Sequence, residues 1–213
     1  AGLVRKPDFH SFAPDFGRLA FAGMAMLSFP EISASASVCD SISRRHGHCA
    51  TAGTLFDGRL VYFARITPPP ASSLTLVDNS EFPIYRSSLG LLLSHRLGYD
   101  GMTGLLEGKM RADGISSPEK EAERLFRLVE ASVSRHGVLS LRDFGTNAYN
   151  AAMTFETSAG VSALAIYGEK GELAPEDARR ILEDGVIEIK ELAERKRSEE
   201  RRVGKEGRSG WAP

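Results

Sequence analysis

Four side chains that commonly bind metals lie close together in the sequence: Cys39, His46, His48 and Cys49. Zinc sites draw their ligands from pairs at short fixed spacings, and neither a C-x2-C pair nor an H-x3-H pair is present. Cys39 falls within a helical pattern, whereas alternation along the next strand puts His48 and Cys49 on opposite faces. We therefore expect no metal site, only the end of a helix that leads into a strand.

The patterns of nucleophilic and phosphate chemistry are also missing. Serines are frequent, but no G-x-S-x-G elbow occurs and no cysteine lies beside a plausible base. The glycine-rich stretch "LGYDGMTGLLEG" lacks the lysine and the strand-to-helix setting of a phosphate-binding loop. Paired carboxylates fall only on helix surfaces predicted to face solvent. We expect a binding protein that is not an enzyme and uses no cofactor.

The remaining polar residues favour a binding site. Ser87 and Ser88 stand at the start of a predicted helix, where free backbone N–H groups and the positive end of the dipole favour an anionic group. Capping by one serine is the more common use of this position, and both uses are compatible if the other serine faces a ligand. Tyr149, Asn150 and Tyr167 add two hydroxyls and an amide on strands predicted to be adjacent.

The composition is that of an ordinary globular protein. Of 213 residues, 42% are hydrophobic and 26% charged, and the formal charge of −1 predicts neither an acidic nor a basic partner. Two cysteines are too few for a disulfide framework and suit a reducing cytoplasm, although one disulfide between them is left open. The longest nearly uncharged run, "LAFAGMAMLSF", has about half of the roughly 20 residues that a membrane span needs. We expect a cytoplasmic protein without a membrane span.

The elements that must position these residues are helices alternating with strands joined by hairpins. One helix, apolar nearly all round, ends at Pro30, and a second follows it. Asp57-Gly58 joins two β-rich runs and is a strong hairpin signal. The segment 99–116 contains four glycines and is the least determined. Further strands are predicted in "VLSL", "NAYNAAMTFET" and "GVSALAIYG".

Two later helices have clear apolar stripes. The first is capped by Ser117, begins at Pro118, and carries Ala122, Leu125, Phe126, Val129 and Val133 on one face. The closing helix, "APEDARRILEDGVIEIKELAERK", has a similar apolar face that includes Gly185. Hairpin-connected strands with helices between them predict an α+β fold, with an antiparallel sheet flanked by helices.

Taken in order, these segments resemble the effector-binding region of the IclR family of bacterial transcription regulators. "GTLFDGRLVYFARI" is similar to the family's hairpin, whose second strand reads like "VVYLDRV". "FPIYRSSLGLLL" is similar to "LPLHATALGKALL", and "NAAMTFETSAGVSALAIYG" to "AAPVFDASGRVVAALSVSG". The match spans roughly residues 2–196, and the order and spacing of the segments carry it.

The resemblance implies a GAF-like sheet that binds a small metabolite, in proteins that work as dimers or dimers of dimers. The loop-helix junction that contacts effector in relatives corresponds to the residues around Ser87 and Ser88. The effector-binding residues that we expect are Tyr85, Ser87, Ser88, Leu89, Gly90, Tyr149, Asn150, Ala165 and Tyr167.

Several residues depart from the family pattern. The lysine or arginine after the junction glycine is Leu91, the sheet proline is Met153, and the turn aspartate is Glu156. Small hydroxyl side chains frequent on the last strand are replaced by Ala165 and Tyr167. Tyr167 should reshape the pocket, so we expect an organic acid or aromatic compound that is larger than the ligands of small-acid-sensing relatives.

The resemblance also divides the chain. Residues 1–14 would be the wing of a winged-helix domain, 15–30 a linker helix, and 31–196 the GAF-like domain. DNA would then be bound only through a winged-helix domain of which this fragment keeps little. The alternatives are a GAF-like module of another signalling protein and, less favoured, a small serine hydrolase.

The last residues resemble something else. "RSEERRVGKEGRSGWAP" is similar to "RSEERRVGKECRSRWSP", the conceptual translation of a common short-read sequencing adapter. The differences are Gly207, Gly210 and Ala212, and a single change to G at the first base of a codon explains each. We expect residues 197–213 to be a non-native tail, not a basic arm for nucleic acid.

Overall fold

The helices and strands follow from a computed structural model, which describes residues 4–5, 13–14, 28–68, 74–75, 83–142, 148–158, 160–169 and 173–209. In chain order they are β1 (Val4–Arg5), β2 (Ala13–Pro14), α1 (Pro30–His46), β3 (Cys49–Phe56), β4 (Arg59–Ile66), β5 (Leu74–Thr75), a 3₁₀ turn (Ile84–Arg86), α2 (Ser88–His95), α3 (Gly98–Ala112), α4 (Pro118–His136), β6 (Leu139–Arg142), β7 (Ala148–Thr157), β8 (Gly160–Glu169) and α5 (Pro175–Ser209).

Six of the strands form one sheet in the order β5-β4-β3-β8-β7-β6, and every neighbouring pair is antiparallel. The β3–β4 hairpin turns at Asp57 and Gly58, whose φ angles of 49° and 66° are those of a type I′ turn. The strands β1 and β2 form a separate antiparallel pair. The predicted α+β fold with an antiparallel sheet is therefore confirmed.

Helices cover both faces of the sheet. One face packs against α1 and α5, and the other against α2 and α4, with α3 packed on these two helices. Gly185 on α5 allows close packing, since a Cβ there would lie 2.8 Å from Leu164 Cδ2 and 3.1 Å from Ile42 Cδ1. The largest fully buried side chains of the α1/α5 face are Val38, Leu164, Ile166, Leu182 and Ile189, and those of the other face include Leu89, Leu91, Met102, Leu106, Leu125 and Leu139.

Three features differ from the sequence predictions. Helix α3 (Gly98–Ala112) occupies most of the segment 99–116, in which no helix was predicted. Ser117 occupies the N-cap position of α4 but makes no capping hydrogen bond, because its backbone is left-handed with φ 56°. Helix α5 continues to Ser209, through a stretch rich in the helix-forming residues Glu, Arg and Lys.

The predicted linker helix lies mostly outside the described residues, since residues 15–27 are not among them. The assignments of 1–14 to a wing, 15–30 to a linker and 197–213 to a non-native tail stay predictions. No helix in the described part of the chain is long and apolar enough to cross a membrane.

Candidate functional site

The first turn of α2 is capped by the serine that precedes the helix. Ser87 is the N-cap residue, and its hydroxyl accepts a hydrogen bond of 3.1 Å from the Gly90 N–H. The same hydroxyl lies 3.2 Å from the hydroxyl of Tyr62 on β4. Ser88 is also buried, but its hydroxyl makes no hydrogen bond with any described residue. Ser87 therefore caps the helix while Ser88 keeps its hydrogen-bonding capacity.

Three other predicted site residues have structural contacts within the helical layer. The Tyr85 hydroxyl donates a 2.6 Å hydrogen bond to Asp113 Oδ2 at the end of α3. Burial is the main cause that raises the pKa of Tyr85, and the Asp113 carboxylate raises it further. Leu89 is buried in the core, and Gly90 touches the 3₁₀ turn, where a Cβ would lie 2.7 Å from the Ile84 carbonyl oxygen.

The sheet below α2 presents small side chains at its centre. Strand registers place Thr51 beside Ala165 and Gly53 beside Ala163, and Ala165 pairs in turn with Ala152 of β7. The three alanines pack in the core that α2 covers. These small residues form a floor below α2. Larger polar side chains surround the floor, because every second residue of a strand points to the same face of the sheet.

One of these rows crosses three strands at their ends. Tyr167 of β8 is paired with Cys49 of β3 on one side and with Asn150 of β7 on the other. Cys49 is buried, whereas Asn150 and Tyr167 are half-buried. The Asn150 amide makes no hydrogen bond with a described residue. Asn150, Ala165 and Tyr167 thus share one face of the sheet, and the structure brings them together below the helix that Ser87 and Ser88 begin.

Arg65 of β4 is a further polar residue beside the small side chains of this face. It is paired in register with Thr51, next to the row of Cys49 and Tyr167. Interaction with the Tyr167 hydroxyl is the main cause that raises the pKa of the Arg65 guanidinium, and Cys49 and Tyr62 act in the same direction. Burial raises the pKa values of Tyr167 and Cys49, and Arg65 lowers both. These groups form one electrostatically coupled cluster.

Tyr149 does not belong to this cluster. It lies in the core covered by α1 and α5, and its hydroxyl is 3.2 Å from the Ser140 hydroxyl. The reason is the period of a strand, since Tyr149 and Asn150 are consecutive residues of β7 and must point to opposite faces. The structure therefore separates Tyr149 from the other predicted site residues.

The cysteines and histidines show no arrangement for a metal. Within the described ranges, no group of three or more His, Cys, Asp or Glu residues is positioned to hold an ion. Cys39 and Cys49 are both free and buried, and burial raises the pKa of Cys39 far above its ordinary value. A buried neutral thiol is a poor ligand and a poor nucleophile.

The sequence matches no protein-family model and no curated protein. Solved structures do match. An IclR-family transcriptional regulator from Brucella abortus has a TM-score of 0.68 and 17% identity over 89% of this chain and 74% of its own. An IclR homologue from Microbacterium hydrocarbonoxydans, complexed with 4-hydroxybenzoate, has a TM-score of 0.65 and 16% identity over 91% of this chain and 80% of its own.

The structure of an isolated effector domain, of the transcriptional regulator IclR from Acinetobacter sp. ADP1, also matches. Its TM-score is 0.56 at 16% identity, and the match covers 75% of this chain and 95% of that domain. The chain has the fold of an IclR effector domain. The identities, all below 25%, establish the fold alone.

In this IclR-type fold, sequence reasoning missed four residues of the cluster: Cys49, Thr51, Tyr62 and Arg65. Alternation alone would place Tyr62 and Arg65 on opposite faces of β4, because they are three residues apart. The pairing of β4 with β3 shifts between Ala52 and Gly53, and this shift returns Tyr62 and Arg65 to the same face of the sheet. The isolated glycine in the strand pattern was the available signal, since such glycines often mark a bulge.

Proposed function

We propose that this chain is the effector-sensing domain of an IclR-type transcription regulator. The effector would be a small organic acid or aromatic compound, bound between α2 and the sheet. The observation that carries this proposal is the polar cluster on that face, which has hydroxyl, amide, thiol and guanidinium groups around a floor of small residues. Ligand sites of this kind combine a largely apolar surface with a few converging polar groups.

The proposed site consists of Ser87 and Ser88 at the helix start, with Ala165, Asn150 and Tyr167 on the sheet. The role of Tyr85, Leu89 and Gly90 in it is to fix the junction between the 3₁₀ turn and α2. Tyr149 is left out, since it lies on the other face of the sheet. The related Microbacterium structure, solved with 4-hydroxybenzoate, supports an aromatic acid as a first compound to test.

Regulation would follow from a difference in affinity. An effector shifts the equilibrium between two arrangements of a protein only as far as it binds one of them more tightly. We propose that effector binding biases the placement of winged-helix domains that contact DNA, and that the protein acts in the cytoplasm as a dimer or tetramer. Light scattering during size-exclusion chromatography would measure the number of chains.

The serine hydrolase alternative lacks support from the site. Among the described residues, the Ser87 hydroxyl contacts only Tyr62 and the Gly90 N–H, and neither is one of the His, Lys or carboxylate bases that commonly activate a serine. The buried Ser88 hydroxyl contacts none. The proposed function therefore includes binding and no catalytic step.

Thermal unfolding in the presence of candidate ligands tests the proposal. A ligand at about a hundred times its dissociation constant stabilises a protein by roughly 2.7 kcal/mol, which raises the unfolding midpoint of a chain of this size by about 5–10 °C. We expect 4-hydroxybenzoate or another small organic acid or aromatic compound to give such a shift with the unmodified chain. If none of a broad panel does so at millimolar concentration, the proposal is wrong.

A pair of matched variants locates the binding. Tyr167→Ala removes a side chain from the proposed site, whereas Tyr99→Ala removes an exposed tyrosine on α3, 48% accessible to solvent. We expect the ligand-induced shift to be lost or strongly reduced in Tyr167→Ala and retained in Tyr99→Ala. Circular dichroism of both variants would show that the fold is intact.

A further inference from the structure

Arg65 differs from the other arginines whose side chains the structure describes. Each of the others is exposed to solvent or forms an ion pair with a carboxylate. Arg65 is half-buried, and no carboxylate of the described residues lies within ion-pair distance of it. Burial opposes this charge and the hydrogen bond with the Tyr167 hydroxyl favours it, so a neutral group and not a counter-charge stabilises the guanidinium.

The neighbours of Arg65 cannot supply that counter-charge. Among the described residues, Tyr167, Cys49 and Tyr62 are the ionisable groups that affect the pKa of Arg65, and Thr51 is its partner in register. All four are neutral near pH 7, because burial raises the pKa of Cys49 and of Tyr167 above already high ordinary values. The cluster therefore holds one full positive charge and no negative one.

The position of Arg65 directs this charge into the proposed site. Arg65, Thr51 and Ala165 form one row on the face that α2 covers. Tyr62 connects the two ends of the site, since it lies near Arg65 and its hydroxyl is 3.2 Å from that of Ser87. A compound lying over the small residues of the floor would meet the guanidinium at one end and the start of α2 at the other.

We propose that Arg65 binds the carboxylate of the effector, so that the site selects organic acids over their neutral analogues. A guanidinium fits a carboxylate with two parallel hydrogen bonds, which adds directional specificity to the charge interaction. The Tyr167 hydroxyl is placed to orient the guanidinium or to donate to the same carboxylate. This inference rests on the proposed function and narrows its ligand to one chemical class.

The test compares acids with their amides. The full chain is titrated with benzoate, 4-hydroxybenzoate, phenylacetate and pyruvate, and with the corresponding neutral amides, while binding is followed by calorimetry and by the shift in unfolding midpoint. We expect at least one acid to bind and its amide to bind much more weakly. In Arg65→Gln the affinity for that acid should fall roughly tenfold or more, since hydrogen bonds to charged groups contribute about 1.5–3 kcal/mol.

Arg59→Gln is the matched control, because Arg59 is an exposed arginine on the same strand. It should bind the acid as the unmodified chain does, and Arg65→Lys should retain part of the affinity. Equal binding of acid and amide, or unchanged binding in Arg65→Gln, would overturn the role of Arg65 and leave the proposed function standing. Binding of neither acids nor amides would count against the proposed function, and this inference would fall with it.

A second measurement needs no ligand. If Arg65 is kept for binding and not for folding, Arg65→Met should leave the unfolding midpoint of the free chain nearly unchanged, because it removes both a partly desolvated charge and its hydrogen bond with the Tyr167 hydroxyl. Arg59→Met should leave the midpoint nearly unchanged. A lower midpoint for Arg65→Met would make Arg65 a structural residue and would overturn the inference.

Discussion

The hydroxyl groups of Tyr62 and Ser87 lie 3.2 Å apart and join strand β4 to the first turn of helix α2. The Ser87 hydroxyl also accepts the Gly90 N–H at 3.1 Å, so one side chain both caps the helix and holds it to the sheet. Both contacts are buried. A change at Ser87 should therefore affect folding and the site together, whereas a change at Tyr62 should affect mainly the site.

Ser87→Ala and Tyr62→Phe separate these two roles. Ser87→Ala removes the cap and should lower the free energy of unfolding by about 1 kcal/mol or more. Tyr62→Phe leaves the cap in place and should cost less, since Ser87 keeps its bond with the Gly90 N–H. Urea unfolding followed by circular dichroism measures both, and an equal loss in the two variants would contradict the assigned roles.

Gly90 is required by the packing of α2 on the 3₁₀ turn. A Cβ at this position would lie 2.7 Å from the Ile84 carbonyl oxygen and 2.8 Å from Ile84 Cγ1. Because backbone must move to admit it, we expect Gly90→Ala to destabilise the chain by about 1–3 kcal/mol.

Gly104 on α3 provides the control for Gly90. A Cβ at Gly104 would meet no atom of a neighbouring residue within 4 Å, and the residue is exposed. Gly104→Ala should stabilise the chain by roughly 0.5–1 kcal/mol through helix propensity. Chemical denaturation of the two variants should thus give changes of opposite sign, and a tolerated Gly90→Ala would show that the turn can move aside.

Glu31 joins three parts of the fold through one buried carboxylate. It lies in the first turn of α1, accepts the N–H and the hydroxyl of Ser158 at 3.1 Å each, and pairs with Arg197 of α5. Glu31→Ala leaves the Ser158 groups without this acceptor and should lower the free energy of unfolding by about 1–3 kcal/mol.

Arg197→Ala should cost far less than Glu31→Ala. The Arg197 side chain is 39% exposed, so solvent screens its charge, and the Glu31 carboxylate still accepts both hydrogen bonds from Ser158. Thermal and urea unfolding measure both losses. Equal losses from the two substitutions would mean that the ion pair with Arg197, and not the contact with Ser158, accounts for the stabilisation by Glu31.

Much of the fold could be predicted because the patterns are local. Asp57-Gly58 specifies a type I′ turn by itself, and the stripe from Ala122 to Val133 specifies a helix. Helix α3 was missed because four of its 15 residues are glycine, although Met102, Leu106 and Met110 recur every four residues and are fully buried. Glycine lowers helix propensity, and packing of that stripe against α2 and α4 overrides it.

The candidate site could be predicted only in part. Ser87 and Ser88 could be predicted because the start of a helix has a recognisable sequence. Arg65 could not be predicted, since its interactions with Cys49 and Tyr167 depend on which strands become neighbours and on the register shift next to Gly53. Period-2 alternation could have separated Tyr149 from Asn150, but the choice of face required the complete sheet.

His95 should make the stability of the chain dependent on pH. It is the last residue of α2, its ring lies 4.9 Å from that of Phe126, and its Nε2 is buried without a hydrogen-bond partner among the described residues. Burial lowers the pKa of His95 below its ordinary value of 6.5, against an opposing effect of the Glu130 carboxylate and with a smaller lowering by Arg96.

The sign of the effect follows from proton binding. Between the lowered pKa of folded His95 and 6.5, the unfolded chain binds more protons than the folded one, so stability falls as the pH is lowered through that window. His95→Leu should make the free energy of unfolding less dependent on pH below about 6.5. Glu130→Gln should make the dependence steeper, because it removes the charge that favours protonated His95. Urea titrations at several pH values test both, and a shallower dependence in Glu130→Gln would contradict this account of His95.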